Sequence, residues 1–209
     1  MAKKRATGKR AAKNRVRSNR AGNNRVRNAG ASKGRAANKR APIYLWTGLG
    51  WGKTTSALGA ALRCIGHGYK VSIIQFMKGR KEIIGEYSVR KRLGPLYDIQ
   101  QFGKIGWVDL NKPSVADKRL AAKGLAAALV AARKKPYLLV LDEINLAVAI
   151  GLLDEKKVLS FLDKVPSSVH IYMTGRYATP KLMLRADYVN EVVMIKGPKK
   201  LVGEPGIDY

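Results

Sequence analysis

The sequence predicts an α/β protein: one three-layer domain on a mostly parallel sheet, preceded by a disordered basic arm. Three observations carry this. From Ala41 onward, short apolar runs alternate with longer segments of helical periodicity. The apolar runs are continuous rather than alternating, as in strands covered on both faces. Residues 1–40 differ in kind from the rest, holding 15 Lys/Arg and no Asp or Glu.

Strands read at about 43–47, 71–76, 97–102, 137–142, 169–174 and 189–194. Helices read at about 53–65, 82–93, 114–133, 155–164 and 179–185. Gly66-His-Gly68 closes the first helix, and Pro136 separates the long Ala-rich helix from the strand that follows. With 209 residues the chain can bury a core in one such domain, 41–209, behind an arm, 1–40.

The arm owes its expected disorder to composition. Val16 and Val26 are its only sizeable apolar side chains after Met1, too few to offset the entropy of ordering. Its charge accounts for more than half of the net +27, since the remainder balances 26 Lys/Arg against 14 Asp/Glu. Such an arm suits nucleic acid or another polyanion, or serves as a solvated tail. No aromatic residue interleaves the charges, so base stacking is not indicated. No apolar run reaches membrane-spanning length, and the N-terminus lacks the apolar region of a secretory signal. The single Cys64 fits a reducing cytoplasm, with no membrane partner expected. His67 and His170 are too isolated to suggest zinc.

Function is signalled by Thr47-Gly-Leu-Gly-Trp-Gly-Lys-Thr-Thr55. Strand, glycine loop, Lys-Thr and helix is the context of a phosphate-binding P-loop. Gly48, Gly50 and Gly52 let backbone N–H groups approach phosphate oxygens, and the helix N-terminus adds partial positive charge. Lys53 is placed to reach the terminal phosphates, and the Thr54 hydroxyl to hold a divalent ion. The usual first glycine is Thr47 here, with Gly48 and Gly50 as replacements. A second element, Tyr137-Leu-Leu-Val-Leu-Asp-Glu143, is a strand ending in adjacent carboxylates. In a parallel sheet that end lies beside the P-loop, where Asp142 or Glu143 orients Mg²⁺ or its water.

Several segments together resemble the P-loop ATP:corrinoid adenosyltransferases, the cob(I)yrinic acid a,c-diamide or cob(I)alamin adenosyltransferase family. They are the P-loop with the following Ala-Leu-Gly-Ala-Ala-Leu-Arg63, Gln75-Phe-Met-Lys-Gly79 with Gly85-Glu86, and Leu141-Asp-Glu-Ile-Asn145 with Gly151-Leu-Leu153. Thr174-Gly-Arg176, Ala186-Asp187 and the ending Gly206-Ile-Asp-Tyr209 follow, all in family order across 43–209. The resemblance implies a RecA-like fold, commonly a homodimer. It also implies transfer of the 5′-deoxyadenosyl group of ATP to the cobalt of a reduced corrinoid, with release of triphosphate, in cobalamin synthesis or salvage. It makes Lys53, Thr54 and Glu143 the catalytic candidates, and Thr54, Asp142 and Glu143 the ligands of Mg²⁺ or Mn²⁺. ATP and corrinoid then fall to 48–55 (Gly48, Leu49, Gly50, Trp51, Gly52, Lys53, Thr54, Thr55) with Gln75, Lys78, Glu86 and Arg176.

Cobalt(I) brings its own nucleophile, so the scarcity of Cys and His is compatible with this chemistry. The chain departs from the family at Leu49 and Trp51, where a polar residue and Lys are usual, and in a shorter tail without His. Trp51 either stacks on a nucleotide or corrinoid or packs. Arg176 either binds phosphate bidentately or pairs with Asp187 or Glu191. Trp107 either borders the corrinoid or fills the core. The competing function is a diverged P-loop ATP-binding protein that uses its arm on nucleic acid or another polyanion.

Overall fold

The structure is a computed structural model that describes residues 40–79, 84–198 and 203–207. The expectation of a disordered arm therefore lies outside the described residues, except at Arg40. The element order is β1 (Ile43–Thr47), α1 (Lys53–Gly66), β2 (Val71–Phe76), α2 (Gly85–Ser88), α3 (Arg90–Leu93) and β3 (Tyr97–Phe102). Then follow α4 (Val115–Arg133), β4 (Leu138–Asp142), α5 (Ile144–Ala149), α6 (Glu155–Lys164), β5 (His170–Thr174), α7 (Pro180–Arg185) and β6 (Tyr188–Glu191).

The six strands form one sheet in the order β3-β2-β4-β5-β1-β6, and every pairing is parallel. Side-chain alternation splits the apolar residues between two faces. Val71, Ile73, Leu138, Val140 and Tyr172 pack with Ala57 and Ala61 of α1. Ile74, Phe76, Leu139, Leu141, Ile171 and Met173 pack with α4, α5, α6 and Leu182 of α7. Continuous apolar strands thus become a RecA-like three-layer domain with two cores. β5 is inserted between the P-loop strand β1 and the carboxylate-ending strand β4.

Local chemistry fixes the helix starts. Ser114 and Asp117 form a reciprocal capping box on α4. Asp154 caps α6 through Lys157 N–H, and Thr179 precedes Pro180 at the first turn of α7.

Three local expectations are revised. The helix expected at 82–93 begins outside the described residues, and from 84 onward it is two short helices followed by a 3-10 turn, Gly94–Leu96. The Arg90 guanidinium bonds the Tyr87 carbonyl at 2.8 Å and lies over its ring, taking an acceptor that a continuous helix would offer to Lys91 N–H. The six-residue helix α5 is additional, too short to show a period and started by the left-handed backbone of Glu143, φ 64°. The last strand covers 188–191 rather than 189–194 because its only neighbour among the described residues, β1, ends at Thr47.

Candidate active site

All the parallel strands end on one edge of the sheet, and the loops leaving that edge build the site. The P-loop is pressed against the segment after β6. Gly50 N–H donates to Val192 O at 2.7 Å, and Val192 N–H donates to Thr47 O at 2.9 Å. A Cβ on Gly48 would lie 2.4 Å from Val192 O, and one on Gly50 would lie 2.8 Å from the same carbonyl. The first two glycines are therefore required by close backbone approach. Gly52 has open space around it and serves by conformation, capping α1 with φ 94°. Lys53 is only 6% exposed and donates to the Gly50 carbonyl, so its ammonium lies over its own loop.

Asp142 is the polar centre of the edge. Its side chain is fully buried, and each oxygen accepts two donors. Oδ1 receives Thr54 Oγ1 at 2.8 Å and Thr174 Oγ1 at 2.6 Å. Oδ2 receives Gln75 Nε2 at 3.0 Å and the Lys78 ammonium at 2.9 Å. Burial opposes ionisation of Asp142, but Lys78 and the donated hydrogen bonds hold its carboxyl below the ordinary carboxylate value. Lys78 also reaches Glu86 at 3.2 Å, and Gln75 donates to the same Glu86 oxygen at 3.0 Å.

Sequence reasoning overlooked Gln101, whose Nε2 donates to Gln75 Oε1 at 2.8 Å. That bond makes Gln75 present its NH₂ group to both carboxylates. The signal lay in the register: Gln101 stands beside Gln75, and Gln75 beside Asp142, across three strands. Asn145 has a structural part that its place after Asp142-Glu143-Ile144 does not reveal. It is fully buried and ties Trp46 O at 3.1 Å to Gly175 O at 3.2 Å, joining the entry to the P-loop with the residue before Arg176.

Glu143 differs from its neighbour. Its Oε2 is buried without a hydrogen-bond partner, and its backbone N–H is held by Thr174 Oγ1 at 2.9 Å. Burial, then the Asp142 charge, raises its pKa against the pull of Lys78, Lys53 and Arg176. Burial is also the main reason that the Lys53 pKa is lowered.

These groups surround a cavity of about 570 Å³. Gly50, Trp51, Gly52, Lys53, Thr54 and Thr55 form its loop side, and Glu143 and Arg176 face them. Gly48 and Leu49 do not line it. Arg176 is exposed and takes part in none of the ion pairs among the described residues; Asp187 pairs with Arg40 at 3.3 Å instead. A second cavity of about 410 Å³ adjoins the first across Thr54, Thr55, Gly206 and Ile207. Lys78 and Glu86 form its polar end, and Leu58, Val89 and Leu93 line its walls. Gln75 and Asp142 lie buried behind both. Trp107 lines neither and is 92% exposed, which removes core packing as its role.

A family model described as ATP:corrinoid adenosyltransferase BtuR/CobO/CobP matches residues 39–209. The chain belongs to the ATP:corrinoid adenosyltransferase family. It is 32% identical over 177 residues to a corrinoid adenosyltransferase of Pseudomonas aeruginosa, covering 83% of this chain and 86% of the relative. It is 31% identical over 178 residues to the corrinoid adenosyltransferase CobA of Salmonella typhimurium, covering 83% and 88%. The corrinoid adenosyltransferase of Escherichia coli strain K12 is 31% identical over 179 residues, with the same coverage. Membership makes the chain a transferase enzyme, of a family that acts on ATP and a corrinoid. Among the described residues, no helix of this adenosyltransferase-family enzyme is long and apolar enough to cross a membrane.

Proposed function

We propose that this protein moves the 5′-deoxyadenosyl group of ATP onto the cobalt(I) of a reduced corrinoid and releases triphosphate. One observation supports this reading above others: Lys53, Arg176, the Thr54 hydroxyl and the unpartnered Glu143 carboxylate surround a cavity whose lining, among the described residues, holds no Cys, Ser or His. His67 follows α1 and His170 begins β5, both at the opposite, amino edge of the sheet. The protein thus offers binding and charge, and the substrate brings the nucleophile. The cobalt(I) electron pair forms the bond to C5′, the C5′–O bond breaks, and its pair leaves on triphosphate. Lys53, Arg176 and the loop N–H groups hold the phosphates and stabilise the charge that develops there. The second cavity continues from Thr54 and gives apolar walls to the adenosyl group and corrinoid where they meet.

The residues fit a hard divalent ion. The donors are all oxygens, and Thr54 donates its proton to Asp142, leaving its lone pairs for a metal. The unpartnered Oε2 of Glu143 supplies the open carboxylate. Asp142, with four donors, anchors Thr54. Thr54 and Glu143 would hold Mg²⁺ or Mn²⁺, which would supply positive charge beside the triphosphate.

The test is incubation with ATP, Mg²⁺ and chemically reduced cob(I)alamin. The expected result is the spectrum of a cobalt–carbon bond with triphosphate as co-product. ATP binding without transfer to several reduced corrinoids would refute the reading. The reading includes a homodimer in the cytoplasm and a role in cobalamin synthesis or salvage.

The division at residues 40 and 41 adds a second expected result. Removing 1–40 takes 15 cations and almost no apolar surface. The domain is expected to stay folded and to retain transfer to free corrinoid. Affinity for a DNA or heparin probe is expected to fall sharply, and full-length binding to weaken steeply with salt. Equal polyanion binding by both forms at low salt would show that the arm is not the contact.

A further inference from the structure

Asp142 and Glu86 converge on one point, and the Lys78 ammonium occupies it, 2.9 Å from Asp142 Oδ2 and 3.2 Å from Glu86 Oε1. Two carboxylate oxygens around one point form the start of a cation site. Here the cation is covalently attached to the chain. We propose that Lys78 is a built-in counter-ion that keeps divalent metal off the Asp142–Glu86 pair, so that metal enters the site only together with nucleotide. This rests on the adenosyl-transfer reading only for the identity of the nucleotide.

Three further features support it. The Asp142 side chain is 1% exposed and that of Glu86 12%, so a metal taken up there would have to displace Lys78, itself only 23% exposed, from both of its carboxylate partners. Removing one partner of a buried ion pair is strongly unfavourable. Gln75, oriented by Gln101, donates to both carboxylates and adds a second obstacle to a cation. Elsewhere in the site, Thr54 and Glu143 give too few ligands alone: among the described residues no cluster of three or more His, Cys, Asp or Glu is arranged to hold a metal. Two protein oxygens and water hold such an ion weakly, and phosphate oxygens add the ligands that make the nucleotide its carrier.

The experiment measures free Mn²⁺ by electron paramagnetic resonance during titration of the whole protein, with no nucleotide and no corrinoid present. The unsubstituted protein is expected to bind Mn²⁺ only weakly. Lys78→Met keeps volume and removes the charge, and is expected to tighten nucleotide-free Mn²⁺ binding at least about tenfold, or ~1.4 kcal/mol. Adding Glu86→Gln to that variant is expected to reverse the gain. If Lys78→Met does not fold by circular dichroism, Lys78→Gln is measured in the same way. Tight Mn²⁺ binding by the unsubstituted protein without nucleotide would overturn the proposal. So would the absence of a gain in the Lys78 variant, or a gain that survives Glu86→Gln. A parallel titration with ATP, referenced to Mn²⁺ bound by ATP alone and followed by addition of reduced cob(I)alamin, separates the two readings. Mn²⁺ uptake with ATP but no adenosyl transfer would refute the function while leaving the role of Lys78 intact.

Discussion

Lys53→Ala is expected to lower kcat/KM for ATP by roughly 10- to 150-fold, the loss of a charge-assisted contact of about 1.5–3 kcal/mol. The size follows from how few cations the cavity holds. Among the described residues, Lys53 and Arg176 are the only basic ones in its lining, and position 51 carries Trp rather than a second loop lysine. Stability is expected to change little, because the Lys53 ammonium is buried, its pKa is already lowered by desolvation, and Ala does not bury a charge. Thr54→Ala is expected to shift the metal-concentration dependence of turnover instead, since it removes the oxygen proposed as a metal ligand and leaves Lys53 in place. Steady-state kinetics with varied ATP and Mg²⁺ separate the two effects. Near-normal turnover in both variants would place the phosphates somewhere else.

Much of the site was legible because its chemistry is written locally. Gly52-Lys53-Thr54 sits between a strand and a helix, and Asp142-Glu143 ends an apolar strand; both need only neighbours in sequence to be recognised. The sheet was legible for the same reason, since strands covered on both faces are continuous apolar runs. What could not be read is what depends on pairing across the sheet. Gln101 looks like an ordinary polar strand residue until register sets it beside Gln75. Gly48 and Gly50 look like phosphate-approaching glycines until Val192, some 140 positions away, is found against them. The opposite roles of Asp142 and Glu143 were also hidden. Adjacent in sequence, they separate because Glu143 turns into the left-handed region while Asp142 remains in the strand, so one carboxylate is saturated and the other open.

Asp142→Ala is expected to be the most damaging single change to the fold, costing about 3–5 kcal/mol of a typical total of roughly 5–15 kcal/mol. It leaves the Lys78 ammonium with Glu86 alone, strips the acceptor from Thr54 and Thr174, and takes one of the two acceptors of Gln75. Asp142→Asn preserves the shape but is not expected to rescue. Its oxygen can receive Lys78 and Gln75 while its NH₂ group faces the threonine hydroxyls, but the amide carries no charge to balance the Lys78 ammonium. Adding Lys78→Met to Asp142→Asn is expected to restore part of the loss, because it removes the unpaired charge; the two sites touch and cannot be additive. The pH dependence follows from the directions of the shifts. The lowered Asp142 pKa gives stability that is full above the unfolded value of about 3.9 and fades as pH falls through the native one. The raised Lys78 pKa gives stability that is full below the unfolded value of about 10.4 and fades as pH rises through the native one. Burial works against charged Lys78, and the two carboxylates overcome it. Urea unfolding should therefore show a deficit for Asp142→Asn that is flat from about pH 5 to 9 and shrinks in acid. A deficit that grows as pH falls from 7 to 5 would assign the loss to another group. An Asp142→Ala protein within about 1 kcal/mol of the unsubstituted one would mean that the four bonds to this carboxylate do not hold the site together.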